Sequence, residues 1–221
     1  MKFSVLISAY NRGNVLNRCL DSIFLFQGGE DFEVVLVNDG SPDNTKEVCG
    51  QYDERLVYLE NQVRQERARS YGKAIQAATG DWIFHMGSDD MVFPRLFEFI
   101  HSYTTKYPEA KLFNYGWAAI NKRTNRFSTT PGHVFPDNSH FNSGLVAAGS
   151  FCWHKSINDQ IQMPDAGNCY ELADMAGIPG YSKFTRTLGN PWGEDYYIFW
   201  KLTRQNISQW IPLFGVIVNS R

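Results

Sequence analysis

Apolar residues fall into short blocks along this chain, and the blocks alternate between two periods. Phe3 to Ala9 is a largely apolar run that predicts a strand. Val15, Leu16, Cys19, Leu20, Ile23 and Phe24 then recur at helical spacing. Phe32 to Asn38 is rich in β-branched residues and suits a buried parallel strand. Asp39-Gly40-Ser41-Pro42-Asp43 is turn chemistry, and Asn44 or Thr45 can open a short helix. Leu56 to Glu60 reads as a third strand and Gln65 to Ala78 as a helix closed near Gly80. Asp81 to Met86 reads as a fourth strand, and Pro94 starts a helix with Leu96, Phe97, Phe99, Ile100 and Tyr103 inward.

This order predicts an α/β fold with a doubly wound, mostly parallel sheet. Ligands of such sheets bind beyond the carboxyl ends of the strands. Polar groups stand at three of those ends: Tyr10-Asn11-Arg12, Asp39 and Asp89-Asp90. All three are expected on one rim.

After residue 115 the pattern changes. Lys111 to Asn121 and Arg126 to Thr130 read as strands about a turn, and Leu145 to His154 as another. Residues 155–192 are rich in Gly, Pro, Asp and Asn without a period, the mark of a functional loop. Glu194 to Gln205 returns to helical spacing, and Ile207 to Val218 predicts closing strands. A single domain over 1–221 is expected, with two halves at 1–115 and 116–221.

Composition narrows the class. Hydrophobic residues at 43% of 221 allow one sizeable core and argue against disorder. A net charge of -2 gives no general attraction to nucleic acid or to an anionic membrane. Cys19, Cys49, Cys152 and Cys169 form no C-x-x-C pair and no zinc spacing, so reduced structural thiols and a cytoplasmic location are expected. No signal peptide or spanning segment is recognisable, so membrane contact would be peripheral.

The chemistry concentrates at Ser88-Asp89-Asp90. Adjacent carboxylates at the end of a buried strand repel each other and lose hydration. A divalent cation removes both costs, and such oxygen sites commonly also hold phosphate. Capping of the next helix is the plainer alternative, less favoured because apolar residues flank the pair on both sides. Asp39 taken alone reads first as a turn residue, with contact to a nucleobase as the functional alternative. Arg69 belongs by default to a solvated face, although a guanidinium there could reach a diphosphate. Glu194 and Asp195 open a helix, where acids suit the dipole, or supply a base to a cleft. Residue types leave those two readings level. His154, beside Trp153, could line a substrate pocket and Trp192 could stack on a sugar face, although ordinary packing is the readier reading of each singly.

Together these motifs resemble family 2 glycosyltransferases of the GT-A fold. The resemblance rests on Ser4 to Arg12, Val35 to Thr45, Ala68-Arg69-Ser70, Gly80 to Ile83 with Ser88-Asp89-Asp90, and Gly193-Glu194-Asp195 with Lys201-Leu202. Five motifs in order make a strong signal. It implies a Rossmann-like domain with a smaller acceptor-side sheet region, 1–115 being the nucleotide-sugar-binding half and 116–221 the acceptor-binding and catalytic half, with His154, Trp153 and Trp192 as acceptor-side candidates. It also implies that Asp39 binds the base, commonly uracil, with Ser8, Tyr10 and Asn11 lining the nucleotide pocket. Arg69 would approach the donor, and Ser88 and Asp89 would contact it. Asp90, with Asp89, would hold Mn2+ or Mg2+. Asp195 would be the general base of an inverting transfer, supported by Glu194. The family often has a third Asp where this chain has Gly87, and the stretch from Trp153 to Gly193 is longer than usual.

The donor implied is a nucleotide sugar, UDP-linked by preference. The acceptor stays open among glycans, lipid-linked sugars, other hydroxyl compounds and nucleic acid. A sugar-phosphate nucleotidyltransferase would carry a Gly-rich loop after the first strand, which Ala9 to Asn14 is not. No G-x-G-x-x-G marks a dinucleotide enzyme. A non-catalytic nucleotide-sugar-binding module is the rival from another class, disfavoured by intact Asp90 and Asp195.

Overall fold

The computed structural model describes residues 1–121, 124, 126–130, 149–161, 194–203 and 209–220. Among these, nine strands form one sheet: β1 (Lys2–Ala9), β2 (Asp31–Asn38), β3 (Leu56–Glu60), β4 (Trp82–Gly87), β5 (Met91–Val92), β6 (Leu112–Asn121), β7 (Arg126–Thr130), β8 (Phe151–His154) and β9 (Gln209–Ser220). The helices are α1 (Leu16–Phe24), α2 (Thr45–Cys49), α3 (Arg67–Ala77), α4 (Leu96–Lys106) and α5 (Glu194–Thr203), with a 3-10 helix at Lys155–Gln160. Strand order is β3-β2-β1-β4-β8-β6-β9-β5, with β7 on β6.

The first four strands are parallel, as their apolar runs and helical crossovers predict. The sheet then becomes mixed, because β8 runs antiparallel to both β4 and β6 while β6 and β9 are parallel. Residues 115 and 116, where the sequence pattern changes, both lie in β6. The second half therefore extends the first half's sheet.

Alternation along the central strands splits the core into two layers. Phe3, Val5 and Ile7 of β1, with Val34 and Leu36 of β2, pack against α1, α2 and α4. Leu6, Val35, Val37 and Ile83 face the other way, toward α3, α5 and Ile157 of the 3-10 helix. The apolar spacing of α1 thus becomes packing: Leu16, Cys19, Leu20 and Ile23 are fully buried on one stripe.

One connection shapes the functional rim. Only Ser88-Asp89-Asp90 separates β4 from β5, yet β8, β6 and β9 lie between them in the sheet. The sheet must curl for so short a link to close. The curl brings edge strand β5, paired with β9 at Met91↔Ile217, back to the carboxyl end of β4.

The fold departs from the sequence expectations at several places: Phe99, expected inward, is 50% exposed, and the expected closing strands are, among the described residues, the single strand β9. The short edge strand β5 was not legible, since two residues carry no period. The strand expected over Leu145 to His154 is assigned only over Phe151–His154, with residues 145–148 outside the described set.

Candidate active site

Parallel register assembles the rim. Ala9 of β1 pairs with Asn38 of β2, and Ser8 pairs with Gly87 of β4. Tyr10, Asp39 and Ser88 therefore leave adjacent strands side by side, as the sequence predicts.

The loops above this rim are tied together by side chains accepting from backbone. The N–H of Asn11 donates to Ser41 Oγ at 3.0 Å, that of Arg12 to Thr45 Oγ1 at 3.1 Å, and that of Gly13 to Asp43 Oδ2 at 2.9 Å. Asp43 also accepts from the Thr45 hydroxyl, and although burial opposes it, these bonds hold its carboxyl below the usual range. The polar residues of Ser41 to Thr45 thus fix the course of Asn11 to Gly13. Asn11 adopts φ 54 there, the left-handed region that asparagine tolerates better than most residues.

Asp39 is buried and does not cap its own turn. Asn38 does so, its Oδ1 accepting from Ser41 N–H at 3.1 Å. The Asp39 Oδ1 instead accepts from Asn61 Nδ2 and from Gln65 N–H, both at 2.8 Å. The Asn61 amide also donates to Ser70 Oγ on α3. Asp39 is therefore welded to the segment leading into α3, whose first residues sit at the same rim. Arg67 and Arg69 in that first turn are exposed, while Ala68 and Ser70 are buried. Cations are disfavoured at a helix start by the dipole, so a bound anion would offset two unfavourable terms together.

At β4 the two carboxylates converge over Gly87. Asp90 is buried and Asp89 half-buried. A Cβ on Gly87 would lie 2.5 Å from Asp90 Oδ2 and 3.6 Å from Asp89 Oδ1. Any side chain at 87 would therefore displace the Asp90 carboxylate, and a third acidic one would crowd the pair. Beneath the turn, the fully buried Cys19 thiol reaches Gly87 O at 3.5 Å. Burial, then Asp90 and Asp89, push that thiol well above its ordinary value, so it stays protonated and can donate.

Two carboxylates fit a hard divalent cation whose remaining positions go to phosphate and water, the usual arrangement for Mg2+. Among the described residues no group of three or more His, Cys, Asp or Glu side chains converges as a metal cage. The site fits a cation that arrives with its anionic ligand.

The remaining expectations divide. Ser8 is buried near the carboxyl end of β1, Ser88 is buried in the turn, and Tyr10 is 36% exposed on the rim. Glu194 and Asp195 occupy the first turn of α5, which packs on the α3 side of the sheet through Ile198, Phe199 and Leu202. Trp192 lies outside the described residues. Trp153 and His154 are placed elsewhere than expected. Because β8 runs antiparallel to β4, His154 pairs with Trp82 at the amino end, about 20 Å of strand from the Asp pair. Trp153 is fully buried, its indole N–H donating to Asn158 Oδ1 at 2.7 Å. His154 packs edge-on against Trp82, and its Nδ1 lies 2.8 Å from Ser156 Oγ. Neither reaches the rim that carries Asp39 and Asp90.

Sequence reasoning missed Asn61, Arg64 and Gln65, which complete the Asp39 side of the rim. Asn61 and Arg64 fall in a short polar link without period, and Gln65 reads in the sequence only as the start of the helix, which begins at Arg67.

Among the described residues no helix is long and apolar enough to cross a membrane.

Comparison with known proteins agrees with this architecture. A putative glycosyltransferase of Bacillus subtilis, EpsE, is 28% identical over 160 residues, covering 71% of this chain and 55% of its own. The uncharacterised glycosyltransferase YibD of Escherichia coli is 32% identical over 99 residues, covering 44% of this chain and 28% of its own. The chain thus spans about half the length, or less, of these two relatives. The crystal structure of S. aureus TarS 1–349 in complex with UDP-GlcNAc superposes with a TM-score of 0.73 at 15% identity, over 100% of this chain and 59% of that one. The shared fold is the GT-A type, with its curled, mostly parallel sheet. The model of glycosyl transferase family 2 matches residues 4–157, a span holding the Asn11 loop, the Asp39 turn and the Asp89-Asp90 pair, and the chain belongs to that family.

Proposed function

We propose that this chain is the donor-binding and catalytic unit of a metal-dependent inverting glycosyltransferase that takes a UDP-sugar and an acceptor hydroxyl. The observation that carries the reading is the register of β1, β2 and β4. It sets Tyr10 and Asp39 beside the paired carboxylates of Asp89 and Asp90. A nucleotide diphosphate has that polarity, with a hydrogen-bonding base at one end and charge at the other.

Asp39 accepts an N–H of the base, its orientation fixed by Asn61 and Gln65. Ser8, Tyr10, Asn11 and Ser88 line the nucleotide. Arg69, near the start of α3, faces the phosphate side, where helix dipole and guanidinium act together. Asp90 and Asp89 would hold Mn2+ or Mg2+, which supplies positive charge to the departing diphosphate when bound. Asp195 takes the proton from the acceptor hydroxyl as that oxygen attacks the anomeric carbon, and Glu194 supports it. The base must stand across the cleft from the leaving group, which suits its origin on α5 rather than on the donor loops. That TarS was solved with UDP-GlcNAc supports a UDP-sugar here.

A thermal-shift screen of nucleotide sugars, with and without Mn2+, tests the reading. Stabilisation grows with ligand concentration over its dissociation constant, so it ranks donors without knowledge of the acceptor. UDP-sugars should stabilise the chain more in Mn2+ than without it, and prolonged incubation should release free sugar by slow hydrolysis. Stabilisation with no release would favour a binding module, and no stabilisation by any nucleotide would overturn the proposal.

A further inference from the structure

Arg64 lies over the ring of Tyr10 at the rim. Its guanidinium carbon is 4.4 Å from the centre of the Tyr10 ring, well within cation–π range. The same guanidinium donates to Glu66 Oε2 at 3.0 Å. Tyr10 is 36% exposed and the Arg64 side chain about half exposed, so both stand at the mouth of the rim.

The backbone that presents Arg64 is held at two points. A Cβ on Gly40, itself at φ 71, would lie 2.9 Å from the Arg64 nitrogen, so this segment rests directly on the Asp39-Gly40 turn. The next N–H, of Gln65, donates to Asp39. Glu66 then takes φ 71 and ψ 161, a conformation unfavourable for any residue but glycine. A strained backbone held against a turn, pointing a long cation at an exposed ring, is more than a solvated arginine requires.

We propose that Arg64 is the base subsite's own occupant. Its guanidinium covers the face of Tyr10 on which the nucleobase stacks, and the base must displace it. This rests on the nucleotide-binding reading above. Guanidinium and base draw on one ring face, so each excludes the other. Tyr10 follows Ala9, which pairs with Asn38, so Tyr10 and Asp39 leave adjacent strand ends. A ligand that stacks without also bonding to Asp39 competes poorly with a tethered guanidinium. The arginine thereby weakens by one common factor every ligand that must stack on this face, so a base held by Asp39 as well is the one that still binds. When displaced, Arg64 keeps Glu66 as a partner.

The test is uridine binding, which isolates the base from phosphate and metal, measured on the full chain by calorimetry or ligand-observed NMR. Arg64→Ala should tighten uridine roughly two- to fivefold, the scale of an exposed cation–π interaction that only the free protein makes. In a Tyr10→Ala background, Arg64→Ala should have no such effect, which a double-mutant cycle reads directly. Both side chains are at the surface, and a melting curve for each variant checks its folding. Unchanged or weaker uridine binding by Arg64→Ala, with UDP still bound by the wild type in Mn2+, overturns the role of Arg64 alone. Failure of both proteins to bind UDP overturns the nucleotide reading and this proposal with it.

Discussion

Asp39 accepts a 2.8 Å hydrogen bond from the backbone N–H of Gln65, so the end of β2 and the entry to α3 form one rigid corner. Recognition and architecture coincide at this residue. The carboxylate proposed to read the base is the one that sets the loop from Asn61 to Glu66. Asp39→Ala is expected to lower stability by about 2 kcal/mol, because a buried N–H and an amide lose their acceptor. It should also weaken UDP binding. Asp39→Asn keeps an acceptor oxygen and should lose less stability. Chemical denaturation and calorimetry on both variants separate the two effects.

Gly87→Ala probes the paired carboxylates without removing either. The new methyl would meet Asp90 Oδ2 at 2.5 Å, so the carboxylate must move. Mn2+-dependent stabilisation by UDP should fall at least tenfold in apparent affinity, while the melting temperature without ligand drops by only a few degrees, the scale of about 1 kcal/mol. A Mn2+ titration at fixed UDP measures the first quantity. Undiminished Mn2+ affinity would remove Asp90 from the metal site.

Most of the first half was legible because its elements are long and periodic. β1 to β4 and their helices appear within about two residues of the spans that apolar spacing predicts, since buried parallel strands need continuous apolar runs. The rim followed from topology, as parallel strands must end together. The sequence could not say that the link at Ser88 to Asp90 curls the sheet, because pairing of β5 with β9 joins residues far apart in the chain. Nor could it give strand direction at β8. His154 looked like a pocket residue because it ends a strand, but an antiparallel strand ends on the opposite rim. Asn61, Arg64 and Gln65 stayed hidden for a third reason: their interactions are made by irregular backbone, which leaves no period to read.

Glu33 should carry a large part of the acid sensitivity of folding. Its buried carboxylate lies at the amino end of the sheet, away from the candidate site. Burial opposes its ionisation, but bonds from Lys2, Ser4 and Thr79 at 2.6 to 2.7 Å outweigh that and bring its pKa to about 2, from an ordinary value of 4.5. A depressed carboxylate stabilises the fold fully above the unfolded value. That stabilisation is lost as pH falls from about 4.5 toward 2, and amounts to on the order of 3 kcal/mol. Urea midpoints at pH 7 and pH 3 should differ strongly in the wild type. In Glu33→Gln the difference should shrink, on a lower stability at neutral pH.

Asp195→Asn separates binding from chemistry. The residue lies in the first turn of α5, on the α3 side of the sheet, whereas the loops proposed to bind the donor all leave the ends of β1, β2 and β4. Removing a general base should leave nucleotide binding intact while transfer falls by roughly 100-fold or more, the usual scale of such catalysis. Asn preserves shape and the helix start but cannot take a proton at neutral pH. The expected result is therefore a split: UDP-dependent stabilisation within about twofold of the wild type, and sugar transfer or slow donor hydrolysis near background. Glu194→Gln should show a smaller fall, because the role proposed for it is support. If Asp195→Asn turns over at the wild-type rate while Glu194→Gln does not, the base is Glu194. If neither variant loses activity, the proton leaves through a residue outside this turn, and α5 serves only to cover the sheet.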